Sequence, residues 1–303
     1  MRTSLVRAGL LLAFVASCSA RTDVARDAIV HGSPSDGAQD YVVLLYQASA
    51  GTECTATLVA PAVVLTARHC VTKVASGDSI ECGRDGEAVT GGQLGDDVPA
   101  SELEIYVGAT RGRPFPAPTA RGTRVVHDGA TNLCNHDLAL LEIAPPVTSV
   151  APARLNLDAA PSDAEAVTVI GWGVTDQQNL TRTRATRTGV DVLAVGPATF
   201  EGVDVPPNDF LLGESICDGD SGAPAFDGDG VVLGVASFGS NGTTASASDP
   251  ASACVDAGSG IINTFTSLGP FASTIVQAFA DTGAPPPAQS RITPRVMRWA
   301  GAD

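Results

Sequence analysis

The chain is poor in lysine, tryptophan, methionine and tyrosine: Lys73 stands alone, and 303 residues hold two Trp, two Met and three Tyr. With 33 acidic against 18 basic residues, the formal net charge is −15. That balance excludes a general nucleic-acid binder, because phosphate contact needs clustered Arg and Lys. No apolar run reaches the roughly 18–20 residues of a membrane span. No CxxC pair occurs and no two cysteines lie closer than 12 residues, so a thiolate metal site has no framework. Glycine (32) and proline (20) are scattered, too few and too irregular for a collagen-like or disordered chain. What remains is an acidic domain, 44% hydrophobic, long enough to bury one large core or two small ones sharing an interface.

Two terminal segments stand apart. Residues 1–17 carry Arg2, Arg7 and an apolar run from Ala8 to Ala16, the charged and apolar parts of an export signal. Val15, Ala16, Ser17 and Cys18 resemble the lipobox of bacterial lipoproteins, in which the cysteine is lipidated and attaches the protein to a membrane. The alternative is a plain secretory signal cut near Ala20. At the other end, Pro285, Pro286 and Pro287 stop what precedes them, and residues 284–303 read as a flexible tail. Export permits disulfides. Seven cysteines are an odd number, and lipidation of Cys18 leaves six, enough for three bridges.

Between Tyr41 and about Thr266 the chain offers many short, Val-rich stretches between turns. Examples are Tyr41–Tyr46, Ala56–Leu65, Leu138–Ile143, Ala166–Ile170 and Val231–Phe238. Their lengths and β-branched content predict strands, and their spacing an all-β barrel or sandwich. Leu268, Phe271, Ile275 and Phe279 recur at three and four residues, which predicts one closing helix with Pro270 in its first turn and Gly283 at its exit. Residues 75–100 and 241–260 read as loops without a core of their own.

Three segments carry candidate chemistry. His69 follows a strand-like run in VVLTARHC, Asp137 precedes an apolar strand in NHDLALLEI, and Ser221 sits in the turn of ESICDGDSGAPAF. Serine is a poor nucleophile until a base takes its proton. Histidine does this best when a buried acid holds its other ring nitrogen. Glycines beside the serine allow a tight turn whose N–H groups converge. Such chemistry requires Ser221 Oγ within about 3–4 Å of the imidazole and no cofactor or metal.

Together these segments resemble the trypsin-like (chymotrypsin-family) serine endopeptidases over roughly Ile29 to Ala280. TARHC is similar to that family's TAAHC, HDLALL to its DIALL, GDSGAP to its GDSGGP, Gly171-Trp172-Gly173 to its GWG, and Ser237-Phe238-Gly239 to its Ser-Trp-Gly. The resemblance implies two packed six-stranded antiparallel barrels with a short C-terminal helix. It also implies His69 as base, Asp137 as orienting acid, Ser221 as nucleophile, and the N–H groups of Gly219 and Ser221 as the oxyanion hole. Disulfides Cys54–Cys70 and Cys217–Cys254 carry over, leaving Cys82 and Cys134 to pair by elimination. Ile29-Val30-His31-Gly32 stands for the family's mature amino terminus. An activating protease is then implied, residues 18–28 become a pro-segment, residues 29–283 the peptidase domain, and the Ile29 amine pairs with Asp220.

The specificity pocket is expected from Ser215, Ile216, Ser237, Phe238 and Gly239. Ser215 stands at the base, where cleavage after Arg or Lys requires an acid, so small or medium apolar side chains are expected. The other wall falls within Gly260–Thr264, in no definite register. Arg68 and Ala223 replace an alanine and a glycine of the family pattern. The partners implied are protein or peptide substrates of a monomeric enzyme. The rival class is a catalytically silent binding protein that keeps the fold.

Overall fold

The run Val42-Val43-Leu44-Leu45 contains no polar residue because both of its faces are covered. Val43 and Leu45 point into one core, Val42 and Leu44 into another. Alternation along a strand sends neighbours to opposite faces, so a strand buried on both sides reads as continuously apolar. Leu138–Leu141 behaves the same way, with Leu138 and Leu140 joining the second core and Ala139 and Leu141 the first. The computed structural model from which this is read describes residues 29–75, 80–112, 115–163, 165–173, 183–240, 254–255 and 261–293. The expected export signal, Cys18 and the expected pro-segment lie outside the described residues. Among those residues, no helix is long and apolar enough to cross a membrane.

Six strands, β1 (Val42–Gln47), β2 (Thr52–Ala60), β3 (Val63–Thr66), β4 (Leu103–Tyr106), β5 (Ala120–Val126) and β6 (Ala139–Ala144), close into an antiparallel barrel ordered β5-β6-β3-β2-β1-β4. Six more are β7 (Ala166–Gly171), β8 (Ala185–Val195), β9 (Asp209–Leu212), β10 (Pro224–Phe226), β11 (Val231–Ser240) and β12 (Ile262–Ser267). They run β8-β7-β10-β11-β12-β9, and β9 pairs back onto β8 to close a second barrel. Counted from its own first strand, each circuit reads first, fourth, fifth, sixth, third, second. One topology is used twice, although no repeat is visible in the sequence.

Three apolar layers follow. One fills the first barrel (Val43, Leu58, Ile105) and one the second (Val169, Phe210, Phe265). The third glues the barrels together through Val42, Leu65 and Leu140 on one side and Trp172, Phe226 and Val235 on the other. Helix α1 (Ala272–Thr282) adds Ile275 and Phe279 to this third layer, so the chain ends by returning to the first barrel. The helix is shorter than its periodicity predicts. Leu268 and Phe271 are buried in the same layer, but they belong to the lead-in and the 3-10 turn Gly269–Phe271. Gly283 ends α1 at φ 67°, the left-handed conformation that suits glycine at a helix exit.

Three other expectations are amended. Ala56–Leu65 is two strands, broken where Pro61 and Ala62 turn the chain. The acidic segment after Ala75 contains a small hairpin, Glu81–Cys82 with Ala88–Thr90, and a strand, Leu94–Asp97, paired with Thr72–Val74. The tail does not hang free as far as Thr293. The Arg291 N–H donates to Leu155 O and its own carbonyl accepts from Leu157 N, both at 2.8 Å. Its guanidinium lies 2.7 Å from Asp227 and 2.6 Å from Asp229. An acidic body holds a cationic tail by charge as well as by backbone pairing.

Candidate active site

His69 lies in a 3-10 turn, Arg68–Cys70, directly after β3. Two devices fix that turn. The Cys54–Cys70 disulfide ties it to β2, with Cα atoms 6.2 Å apart. Arg68, buried where the family pattern has alanine, donates from Nε to Thr72 Oγ1 at 2.6 Å and meets Asp97 Oδ1 at 3.2 Å. Asp137 stands ahead of β6, on a segment tied to the small hairpin by Cys82–Cys134. Only 1% exposed, it accepts from the His69 backbone N–H at 2.9 Å, from His69 Nδ1 at 2.8 Å and from Ser237 Oγ at 2.5 Å. The acid thus holds the imidazole by ring and by backbone, leaving Nε2 free of that contact.

The charges respond accordingly. Burial alone would push the His69 pKa down, but the charge and hydrogen bond of Asp137 outweigh it and the pKa rises. Burial would push the Asp137 carboxyl up. His69, Ser237 and the backbone N–H outweigh it, so the carboxyl stays ionised below its ordinary range.

Ser221 occupies a turn held by Asp220 N–H to Cys217 O at 2.9 Å and Ala223 N–H to Asp220 O at 2.7 Å. Gly222 has φ 82°, and a Cβ there would lie 2.3 Å from Thr55 O, so only glycine fits. Ala223, by contrast, is not among the positive-φ residues and is fully buried; its methyl group fits the turn. The first barrel braces this second-barrel turn through Thr55, whose N–H reaches Ser221 O at 2.8 Å and whose hydroxyl reaches Gly219 O at 3.0 Å. Neither the Gly219 nor the Ser221 N–H donates to any acceptor among the described residues. His69, Asp137 and Ser221 line one cavity of about 300 Å³, although no hydrogen bond joins the Ser221 hydroxyl to the imidazole.

Ile29 and Asp220 meet. Ile29 is fully buried at φ 64°, and its backbone N–H, with those of Cys217 and Gly173, donates to the Asp220 carboxylate. Among the described residues no cation offsets the burial, which pushes Asp220 up to about 7. Gly171 and Gly173 make room for it, since a Cβ on either would come within 2.1–2.3 Å of a carboxylate oxygen.

The pocket differs from expectation at its base. Ile216, Cys217, Ser237, Phe238 and Gly239 line the cavity, whereas Ser215 is fully buried and does not. Asn263, which sequence reasoning left unplaced, faces Gly239 across the β11–β12 pairing and donates to Ser215 Oγ at 3.1 Å. Thr55 and Asn263 had no motif to announce them. Nor had Asp209, buried beside Thr266 and pushed up to about 8 by burial, with the charge of Asp137 adding to it. Cys54, His69 and Cys70 come close enough together to suggest a metal site. Their sulfurs are bonded to each other, however, and are not thiolate ligands.

The family model described as Trypsin matches residues 29–253. Among solved structures, mouse neuropsin, a serine protease expressed in the limbic system of the brain, is similar at 18% identity and TM-score 0.56, covering 82% of this chain and 99% of its own. An inactivated protease paralogue of the scabies mite, S-I1, is similar at 17% identity and TM-score 0.58 with the same coverage. A structure described as HL collagenase is similar at 20% identity and TM-score 0.54, covering 84% and 99%. No curated protein matches the sequence.

Proposed function

Because the chain belongs to the trypsin family, we propose that it is an exported serine endopeptidase, activated by cleavage before Ile29 and anchored through a lipidated Cys18. In this reading, Ser221 Oγ attacks the carbonyl carbon of a peptide while His69 Nε2 takes the hydroxyl proton. Asp137 holds the ring and stabilises the imidazolium that forms. The oxyanion is received by the free N–H groups of Gly219 and Ser221, each worth about 3–4 kcal/mol of barrier in such sites. His69 then protonates the leaving amine, the C–N bond breaks and an acyl ester of Ser221 remains. Water, deprotonated by His69, attacks that ester and frees the serine.

The observation that carries the reading is the hydrogen-bonded line Ser237–Asp137–His69 opening on the same cavity as Ser221. The cationic amine released at Ile29 would supply the partner that buried Asp220 lacks. The cavity's two acids are Asp137, engaged by His69 and Ser237, and Asp218, whose carboxyl is pushed up by burial, while the expected base is Ser215. Cleavage after small or medium apolar side chains is favoured over Arg or Lys, whose charge would be desolvated with no carboxylate at that base.

One observation favours a second reading, a silent binding protein: the hydroxyl of Ser221 is not hydrogen-bonded to His69. Catalytic hydrogen bonds are often long before substrate arrives, so the first reading is preferred. The chain, cut before Ile29, is assayed on a peptide library beside Ser221→Ala. Expected is hydrolysis after apolar residues at least about tenfold better than after Arg, falling by at least about 10³-fold in the variant. Peptide binding without hydrolysis would establish the silent protein, and preferred cleavage after Arg would refute the pocket.

A further inference from the structure

The carboxamide of Asn263 lies where the pocket would have to be deep. Its Nδ2 donates to Gly213 O at 2.9 Å and to Ser215 Oγ at 3.1 Å. Its Oδ1 reaches the opposite side, so near Gly239 that a Cβ there would be 2.1 Å away. The group therefore spans from the expected base of the pocket to the wall at Gly239. Both Ser215 and Asn263 are fully buried, and neither lines the cavity. A second feature sets this asparagine apart: Oδ1 is buried with no hydrogen-bond partner among the described residues. An orphaned acceptor in a protein interior costs about 1–3 kcal/mol, and such a group calls for a reason beyond stability.

We propose that Asn263 is a stopper that shortens the specificity pocket, so that the side chain before the scissile bond must be short: Gly, Ala or Ser. This rests on the peptidase reading and narrows its substrate class. A side chain of Leu or Phe size needs the space that the carboxamide fills. Moving the carboxamide aside breaks both of its donor bonds and leaves Ser215 Oγ and Gly213 O unpaired. The Cβ of the substrate residue meets no such obstacle, because the wall opposite Asn263 is glycine and is exposed.

The test compares kcat/KM on peptides differing only in Ala, Leu or Phe before the scissile bond, for the cut wild type and for Asn263→Ala. Wild type is expected to prefer Ala over Leu and Phe by at least about tenfold, and Asn263→Ala to raise the Leu-to-Ala ratio by at least about tenfold. A residue with a merely structural role would lower all three rates together and leave the ratio untouched. Ser221-dependent hydrolysis in which Leu or Phe serves wild type as well as Ala overturns the stopper alone. So does an unchanged ratio in the variant. Absence of any Ser221-dependent hydrolysis overturns the peptidase reading instead. Should Asn263→Ala fail to fold, the wild-type series decides by itself.

Discussion

Asp137 and Asp220 are both sealed from water, at 1% and 0% exposure, yet their surroundings push them in opposite directions. Asp137 has an imidazole, a hydroxyl and a backbone N–H around it, and stays ionised. Asp220 has three backbone N–H groups and, among the described residues, no cation, and its pKa climbs to about 7. The difference shows that burial does not by itself decide the charge of a carboxyl group; a neighbour able to carry positive charge does. One aspartate is complete as the chain is made. The other lacks a cationic partner among the described residues, and on the proposed activation the amine freed by cleavage before Ile29 would supply one.

The strongest way to break this contrast is to neutralise each acid in turn. Asp137→Asn is expected to lower kcat of the cut enzyme by about 10³–10⁴, with KM little changed. The same replacement at Asp220 should lower the melting temperature of the uncut chain less than Asp137→Asn does, because no charged partner is lost, although the carboxamide offers one acceptor where both carboxylate oxygens receive backbone N–H groups. Equal losses in uncut stability for the two variants would show that the environments do not differ as described.

The next largest effect concerns the tether on the Asp137 side. Replacing Cys82 and Cys134 together by serine frees a loop of 52 residues and should cost about 3–4 kcal/mol in urea unfolding. A loss below about 1 kcal/mol would show that the acidic segment is held by its hairpin rather than by the disulfide.

The pH dependence is the sharpest test in sign. In the uncut chain the folded state keeps protons on Asp220 and on Asp209, pushed up to about 7 and 8, that the unfolded state releases near pH 4. Stability should therefore fall as pH rises from about 4 to 8, by about 1.4 kcal/mol per pH unit for each proton. Asp137 acts the other way, since its lowered pKa adds stability that is lost only as pH falls below the ordinary carboxylate range. Cutting before Ile29 should remove the Asp220 share. The check is urea unfolding of Ser221→Ala, cut and uncut, at pH 5 and 7; identical slopes would refute the pairing.

How much of this was legible in the sequence depends on what fixes each residue. The five motifs around His69, Asp137, Gly171–Gly173, Ser221 and Ser237 could be read because their backbones are constrained. Gly222 tolerates no Cβ, and Gly171 and Gly173 are pressed against Asp220. The barrels could be read as short Val-rich runs, but their shared strand order could not, because topology is set by which edges pair and not by a repeated residue pattern. Asn263 was hidden for a related reason. Its place depends on the register of β12 against β11, and the long segment before it left that register open. Arg68 was visible only as a departure, and its partners Thr72 and Asp97 come together only in the fold.

The bracing of Ser221 and Gly219 by Thr55, and of Asp137 by Ser237, bears on what the chain is while it is still being made. Each half lends the other a hydrogen bond at the point where chemistry would occur. A chain that has emerged only to Gly171 holds His69 and Asp137, but neither Ser221 nor the Ser237 hydroxyl that donates to Asp137. The later half, alone, holds Ser221 without His69, and its glycine turn lacks the strand that supports it. On the peptidase reading, His69, Asp137 and Ser221 therefore come together only when the two barrels dock, and cleavage before Ile29 is a later, separate step.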